Sequence, residues 1–248
     1  MPNIAVQLYT VREVMERDFI GTLRKVAEVG YEAVEFYTYG GLSPLALRKV
    51  VDDLGIKPLS SHISLTRLEE ELEVVIQEAQ AIGLDYLVCP WLPTERRQTV
   101  QDYADLAATL EKIGDRCNTE GIRFAYHNHD FELAKQDGQV GLDRLLNPSQ
   151  KSGVQAELDL YWIHYAGEDP THYIERYANR CDLLHVKDAS KTDGSFAEVG
   201  SGVLDWQAIF AAAEASGAKW YIVEQDVCKG DPIESIRDSL EFLRRSPD

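Results

Sequence analysis

The chain has 248 residues, of which 44% are hydrophobic and 27% charged, and its formal net charge is −17. This length suits one large domain or two modest ones, and closed αβ barrels are commonly built at this size. A strongly negative field repels phosphate backbones and anionic lipid surfaces, so the charge argues against nucleic acid and membranes as partners.

The cysteines and the N-terminus predict a cytoplasmic protein. Four cysteines show no CxxC motif and no paired spacing, which is typical of reduced thiols. The opening MPNIAVQLYTV passes directly into a strand pattern, without the basic region and apolar stretch of a signal peptide. No apolar run reaches the length that spans a bilayer.

Short β-rich runs alternate with amphipathic helical patterns along the first half of the chain. The predicted strands are Ile4–Tyr9, Ala33–Tyr37, Lys57–Ile63 and Tyr86–Trp91. The predicted helices are Asp18–Val29, Ser43–Leu54, Arg67–Ile82 and Thr99–Glu120. A glycine follows each of these helices, as expected for a helix C-terminus.

The second half repeats this alternation. Its predicted strands are Arg123–His127, Val154–Leu160, Leu183–Lys187 and Trp220–Glu224. Its predicted helices are a short one near Gly141, then Pro170–Tyr177, Trp206–Ala215 and Ile233–Arg245. Eight strand–helix units predict an α/β fold, a closed parallel (β/α)₈ TIM barrel, and the lack of a linker predicts one domain over residues 1–248. An open doubly wound sheet would normally carry a glycine-rich loop after its first strand, whereas QLYTVRE contains no glycine.

Polar residues cluster where the predicted strands of the second half end, and also after the third strand. In closed barrels the reacting groups lie at the C-terminal ends of the strands. The residues at these positions are His62, His127, Asn128, His129, Asp130, Glu132, Glu157, Asp159, His185, Lys187, Asp188, Glu224 and Asp226.

This set of side chains predicts a metal site. Residues two apart in a strand share a face, so His127 and His129 point the same way, as do Glu157 and Asp159. Several buried carboxylates would repel one another unless a cation compensated them. Histidine nitrogen with carboxylate oxygen suits manganese, zinc, cobalt or iron better than calcium.

Individual members of the set also have structural interpretations. His62 alone is compatible with a hydrogen-bonded structural histidine. Glu157 could pair with an arginine on a neighbouring strand, and Lys187 with Asp188 could form a surface ion pair. Trp91 suits either loop packing or a cover for a sugar ring.

Taken together, several segments resemble the xylose isomerase-like TIM-barrel superfamily, and within it the sugar phosphate isomerase/epimerase branch. The segments are QLYTVR, GYEAVEFY, SSHIS, YHNHDFEL, ELDLYWIHYAG, LLHVKDA, GSGVLDW and YIVEQD, which cover nearly the whole chain. The resemblance implies one divalent metal, Mn²⁺ first, with Zn²⁺, Co²⁺, Mg²⁺ or Fe²⁺ as alternatives. The family ligands are Glu, Asp, His and Glu from strands five to eight.

The match to these ligands is incomplete. Asp159, His185 and Glu224 correspond to the last three, but His127 stands where many relatives have the first Glu. A similar histidine-rich ending occurs in the subgroup that includes inosose dehydratase-like proteins. The resemblance therefore implies His127 as the fourth ligand, with Glu132 as the alternative. Trp162 replaces a histidine found in many relatives, which argues against a multi-zinc cluster.

One metal with open coordination positions can bind adjacent hydroxyl and carbonyl oxygens of a sugar. It then makes the C–H bond beside the carbonyl more acidic and stabilises the enediolate that forms when the proton leaves. A carboxylate or histidine then moves the proton. The predicted function is a metal-dependent isomerase or epimerase of a small sugar or keto-sugar. The alternative is a lyase or dehydratase that eliminates a leaving group through the same enolate. A sugar-binding barrel without activity and a DNA-repair endonuclease fit less well, since the latter needs a basic groove.

The candidate residues receive the following roles. The proton-transfer base is Glu157, Glu132 or His129, and Lys187 stabilises the developing oxyanion. The substrate-binding residues are His62, Trp91 and Asp188. Because the net charge disfavours a strongly anionic substrate, a neutral keto-sugar or cyclitol is as credible as a sugar phosphate. The apolar aromatic helices also permit a homo-oligomer.

Overall fold

Eight parallel strands close into a barrel in chain order. In this computed structural model, which describes residues 2–148 and 152–245, each strand pairs with its neighbours in the chain and the eighth pairs with the first. The strands are β1 Asn3–Gln7, β2 Ala33–Phe36, β3 Lys57–His62, β4 Tyr86–Cys89, β5 Arg123–His127, β6 Val154–Asp159, β7 Leu183–Val186 and β8 Trp220–Val223. The closed barrel confirms the predicted fold class.

Helices surround the barrel, and local signals in the sequence place their ends. The α-helices are Arg12–Met15, Phe19–Val29, Pro44–Leu54, Leu65–Glu70, Leu72–Ile82, Val100–Thr119, Gly141–Leu146, Leu160–Tyr165, Pro170–Arg176, Trp206–Ser216 and Pro232–Arg245. The Ser43 hydroxyl accepts a hydrogen bond from the Ala46 backbone N–H, and Thr99 with Asp102 forms a capping box. Gly83 ends its helix with a φ of +85°, a left-handed conformation that favours glycine.

Shorter elements lie between these strands and helices. The 3₁₀ turns are Leu8–Val11, Thr94–Arg96 and Phe131–Leu133. Two small hairpins pair Lys135–Gln136 with Gln139–Val140 and Asp188–Ala189 with Phe196–Ala197. Within the described ranges, no helix combines the length and the apolarity needed to cross a bilayer.

The barrel interior changes from apolar to polar along the strands. Buried inward residues that form an apolar plug are Ala5, Ala33, Leu59, Tyr86, Val88, Ala125, Leu183 and Ile222. Two positions further along five of these strands lies a buried amide, carboxylate or imidazole side chain, and these residues are Gln7, Glu35, His127, His185 and Glu224. Since side chains two apart share a face, this polar layer lies directly above the plug, towards the C-terminal end of the barrel.

Several predicted boundaries were wrong for local reasons. β1 ends at Gln7 and not at Tyr9, because the Gln7 side chain accepts a hydrogen bond from the Tyr9 backbone N–H and the chain turns. β4 ends at Cys89, where Pro90 offers no backbone N–H. The helix predicted over residues 67–82 is two helices, separated at Glu71, whose φ of −130° is not helical.

Candidate active site

A cavity of about 600 Å³ opens at the C-terminal end of the barrel. Of the residues predicted from the sequence to form the site, those that line it are His62, Trp91, His127, His129, Lys187, Glu224 and Asp226. Tyr9 and Tyr37 also line it, although no role was predicted for them. Both follow the ends of barrel strands, and aromatic residues at those positions could have signalled a ring-binding wall.

The four predicted metal ligands come together, and two of them, His127 and Glu224, line this cavity. His127, Asp159, His185 and Glu224 each offer one ligand atom, and these atoms lie within 4.8 Å of one another. The pairing of Asp159 with His185 across β6 and β7 brings two of them side by side. All four are at most 5% exposed, and two nitrogen with two carboxylate donors suit a divalent transition metal. The residues present therefore fit the implied ion.

Asp159 has a divided role in this cluster. Its Oδ1 accepts a hydrogen bond from the Trp162 backbone N–H at 3.0 Å and so caps the helix Leu160–Tyr165, which the sequence had not predicted. Its Oδ2 lies 3.6 Å from His127 Nε2, inside the cluster. The Asn128 side-chain oxygen accepts the Asp159 backbone N–H at 2.9 Å. Asn128 thus ties the end of β5 to the end of β6 and fixes where this ligand sits.

Lys187 lies among the carboxylates of the cluster. Its Nζ is 2.8 Å from Asp159 Oδ2, 2.7 Å from Glu224 Oε2 and 2.8 Å from Asp226 Oδ2, and the residue is 1% exposed. Against the effect of burial, the charges of these three carboxylates hold the pKa of Lys187 well above its usual value. The ammonium group therefore stays charged inside the pocket.

The histidines differ in charge because their neighbours differ. Burial and the positive charge of His185 hold the pKa of His127 well below its usual value, so His127 is neutral. Burial and the Lys187 charge lower the pKa of His129 to about 3. The pKa of His62 shifts in the other direction. Burial alone would lower this pKa, but the Glu35 charge and the contacts with Glu157 raise it to about 10.

Glu157 lies beneath the cavity and does not form its wall. Its Oε2 is 2.9 Å from His62 Nε2, 3.1 Å from His127 Nδ1 and 3.3 Å from His185 Nε2. It is fully buried and is absent from the cavity lining formed by the described residues. Among the described residues it pairs with histidines, and not with the arginine that the structural interpretation had allowed.

Glu35 is a member of the buried polar layer that the sequence reasoning missed. Its Oε1 lies 2.7 Å from His185 Nε2 and 2.8 Å from Gln7 Nε2, and its Oε2 accepts the Ser60 hydroxyl at 2.6 Å. A signal was present in the strand AVEF, where one carboxylate interrupts a wholly buried run. A charge in such a strand needs a buried partner.

The structure corrects the expectation for Glu132 as base or ligand. Its carboxylate accepts hydrogen bonds from the Tyr126 hydroxyl and from the His129 backbone N–H. The residue is fully buried in the 3₁₀ turn that follows β5, and it is not among the described residues that line the cavity. Glu132 holds the loop that carries His129, and it is outside both groups of described residues that could share a metal ion.

This placement predicts a pH-dependent contribution of Glu132 to stability. Burial raises its pKa from an ordinary 4.5 to about 7, so the folded protein keeps a proton that the unfolded chain releases. The stabilising contribution is full below pH 4.5 and falls by about 3 kcal/mol as the pH rises to 7. Urea unfolding of wild type and Glu132→Gln should diverge in this way across that range. Parallel pH profiles for the two proteins would contradict the assignment.

The structure also corrects Asp188, which was expected to bind substrate. Its carboxylate accepts hydrogen bonds within the loop after β7 from the backbone N–H groups of Ala189, Gly200, Gly202 and Leu204 and from the indole of Trp206. Asp188 is fully buried, with both oxygens occupied. It therefore organises this loop, and it is not among the described residues that line the cavity.

Aromatic rings form part of the cavity wall. Trp91 is 45% exposed, and its ring centroid lies 5.2 Å from that of His129 and 5.0 Å from that of Phe131. Tyr9 and Tyr37 form a second edge-to-face pair at 5.4 Å. Exposed aromatic faces of this kind can stack against the apolar faces of a sugar or cyclitol ring.

Comparison with known proteins agrees with this architecture. The family model described as a xylose isomerase-like TIM barrel matches residues 23–246. Inosose dehydratase from Geobacillus kaustophilus is 27% identical over an alignment of 265 positions, gaps included, which covers 90% of this chain and 85% of that protein. The match to inosose dehydratase of Lacticaseibacillus casei is 28% identical but covers only 58% of this chain and 55% of that protein.

Solved structures show the same fold. A sugar phosphate isomerase/epimerase from Parabacteroides distasonis has a TM-score of 0.83 at 25% identity, covering 100% of this chain and 99% of that one. The IolI protein, solved with a bound zinc atom, has a TM-score of 0.79 at 16% identity, covering 98% of this chain and 96% of that one. The second likeness is one of fold alone.

Proposed function

Because the chain belongs to the xylose isomerase-like TIM-barrel family, we propose that it is a metal-dependent enzyme that removes a proton beside the carbonyl of a neutral keto-sugar or cyclitol. One observation carries this proposal: the ligand atoms of His127, Asp159, His185 and Glu224 lie within 4.8 Å of one another, and two of these residues line the cavity. When bound there, a divalent cation supplies a Lewis acid that polarises a carbonyl and acidifies the neighbouring C–H bond.

Lys187 supports the same chemistry from the protein side. Its ammonium group is buried, charged and in contact with the carboxylates of Asp159 and Glu224. A cation held in this position favours the negative charge that develops on a substrate oxygen as the carbon loses its proton. The contacts also keep the ammonium group in place before substrate arrives, so it need not reorganise during the reaction.

His129 is the best placed of the three predicted bases. Glu157 and Glu132 are fully buried away from the cavity lining, whereas His129 forms part of that lining. Its ring stacks on Phe131 at a centroid distance of 5.7 Å, and its centroid lies 5.2 Å from that of Trp91, so the aromatic wall holds the imidazole at the cavity surface. A neutral imidazole at the cavity surface can accept a proton from a bound substrate.

The charge of the cavity favours a neutral substrate. No arginine is found among the described residues that line it, and its one lysine already contacts three carboxylates. A phosphate group is normally held by an arginine fork or by several cationic donors. The carboxylates of Glu224 and Asp226 would instead repel a phosphate dianion.

Two outcomes can follow proton removal. Expulsion of a hydroxyl group from the next carbon gives dehydration, and return of the proton gives isomerisation or epimerisation. The inosose dehydratase relative, which aligns with 90% of this chain, favours dehydration as the first candidate. The fold and 25% identity shared with the Parabacteroides distasonis sugar phosphate isomerase/epimerase support proton return as the second.

The test is incubation with a panel of neutral keto-sugars and cyclitols in deuterated water with Mn²⁺ added. We expect solvent deuterium to enter beside the carbonyl, and loss of water from the product would identify dehydration. His129→Gln should slow this exchange by about 10²- to 10⁴-fold, the usual contribution of a positioned acid or base. Its Mn²⁺ affinity should be unchanged, because His129 is not a ligand.

Two results would refute this assignment. Absence of both exchange and product across the whole panel would remove the enzymatic proposal. Exchange at the wild-type rate in His129→Gln would leave the reaction standing but exclude His129 as the base.

A further inference from the structure

The two histidine ligands are each held by carboxylates on both sides. His185 Nδ1 lies 2.8 Å from Glu224 Oε2, on the cavity side, while its Nε2 lies 2.7 Å from Glu35 Oε1, on the inner side. His127 shows the same pattern, with Nε2 facing Asp159 and Nδ1 lying 3.1 Å from Glu157 Oε2. One nitrogen of each ring therefore faces the cavity cluster and the other faces a buried carboxylate below it.

A third histidine joins the two buried carboxylates. His62 Nε2 lies 2.9 Å from Glu35 Oε1 and 2.9 Å from Glu157 Oε2. Both carboxylates are fully buried, and the side chain of His62 is 11% exposed. The register between β2 and β3 shifts next to Glu35, and such bulges often re-aim a side chain at a functional site.

Building on the proposed metal site, we propose that Glu35, His62 and Glu157 form an orienting layer that makes His127 Nε2 and His185 Nδ1 the metal-facing nitrogens. We call these three residues the orienting layer. Glu35 and Glu157 act through the two ligands and are not among the described residues that line the cavity, whereas His62 lines it and reaches the ligands only through these two carboxylates.

The physical reason lies in the two nitrogens of imidazole. A neutral ring carries one N–H donor and one lone pair, and a carboxylate that accepts the N–H leaves the lone pair on the opposite nitrogen. His185, which is positively charged without metal, must lose one proton when it binds the ion; in the proposed arrangement Glu35 and Glu157 then accept the inward N–H groups of His185 and His127 respectively. Partners of this kind fix ring orientation and raise ligand basicity, so their loss usually weakens metal binding.

The same atoms could in principle hold an ion of their own. His62, His127, Glu157 and His185 also offer ligand atoms within 4.8 Å of one another. If both groups held a metal ion at once, His127 and His185 would each have to bind one ion through each ring nitrogen. Each ring would then have to lose its remaining proton. The orienting layer instead predicts one metal ion per chain.

The probe is Co²⁺, titrated into the metal-free protein in competition with a chelating dye. Glu35→Gln and Glu157→Gln should each bind Co²⁺ about 10- to 100-fold more weakly than wild type, with an altered visible spectrum. Glu35→Asp, which retains the carboxylate, should recover part of the affinity.

The matched control is Asp182→Asn. Asp182 is also a buried carboxylate, with Tyr86, Arg123 and Lys219 as donors, but it lies beside the starts of the strands and far from the ligands. This variant should lose stability and keep the wild-type Co²⁺ affinity and spectrum. Thermal unfolding of every variant verifies that weaker binding reflects the site and not a failure to fold.

Three outcomes would overturn the orienting layer: wild-type affinity in both glutamine variants, binding of two Co²⁺ per wild-type chain, or loss of deuterium exchange in Glu157→Gln with metal binding intact. The last result would make Glu157 the base. A wild-type protein that binds no Co²⁺ would instead refute the proposed metal site itself, so the two failures are distinguishable.

Discussion

Glu224→Gln is expected to lower turnover by about 10³-fold and to weaken Mn²⁺ binding strongly. Glutamine keeps the size of the side chain but removes one of the two carboxylate ligands of the cluster. A bound metal contributes several kcal/mol to stabilising the transition state, and each 1.4 kcal/mol is worth about tenfold in rate. Steady-state kinetics with the best substrate of the panel and chelator competition for Mn²⁺ measure the two effects.

Asp226→Asn is the matched control for this variant. Asp226 lines the same cavity and contacts the same lysine at 2.8 Å, yet it is outside the set of four ligands. It should therefore retain Mn²⁺ affinity close to wild type. If Glu224→Gln bound Mn²⁺ as tightly as Asp226→Asn does, Glu224 would not be a ligand.

Lys187→Met should separate metal binding from catalysis. Loss of the ammonium group removes a preorganised charge, and we expect kcat to fall by about 10²- to 10³-fold. Mn²⁺ affinity should not fall, because the carboxylates of Asp159 and Glu224 lose the cation that competes for them. Kinetics at saturating Mn²⁺ and chelator competition distinguish these opposite effects.

The effect of Lys187→Met on the free energy of unfolding should depend on whether metal is bound. Without metal, three carboxylates lose their common partner, and removing one member of a buried ion pair typically costs about 3–5 kcal/mol of the free energy of unfolding. Added Mn²⁺ should recover much of this loss, since a ligand that binds the folded state stabilises it. Urea unfolding with and without chelator measures the loss of stability and its recovery by Mn²⁺.

Lys219→Met provides the comparison. Lys219 also contacts a buried carboxylate, Asp182, at 2.9 Å, but its side chain is 52% exposed. An exposed ion pair contributes little, so its loss should cost at most about 1 kcal/mol and should not respond to Mn²⁺. Unchanged kcat in Lys187→Met, or equal stability losses in both variants with and without metal, would exclude the proposed role of Lys187.

Together, these variants assign different tasks to neighbouring groups. Glu224 is expected to hold the ion, Lys187 to favour charge on the substrate, His129 to move the proton and Glu35 to orient His185. The four tasks have separable readouts because they affect metal affinity, kcat and proton exchange differently. A single loss of activity could not distinguish them, whereas affinity, kcat and deuterium exchange together can.

The barrel could be predicted because its signals are local. Eight β-rich runs, each followed by a helical pattern and many of these closed by glycine, leave few architectures open. The ends of those strands also pointed to a cluster of polar residues, because parallel strands of a closed barrel aim their C-terminal ends at one place. The family resemblance then selected His127, Asp159, His185 and Glu224 from this cluster as ligands. Within a strand, the alternation of side chains is enough to choose the inward face.

Beyond the last paired residue of a strand, that alternation no longer applies, and only the tertiary structure decided where side chains go. Glu132 lies five residues after the end of β5 and turns back onto Tyr126, and Asp188 leaves the barrel after Lys187 to hold its loop. Glu35 was hidden for a different reason, since its partner His185 is 150 residues away in the chain. The buried run AVEF indicates that Glu35 needs a partner, but which residue that partner is was decided only when the barrel closed.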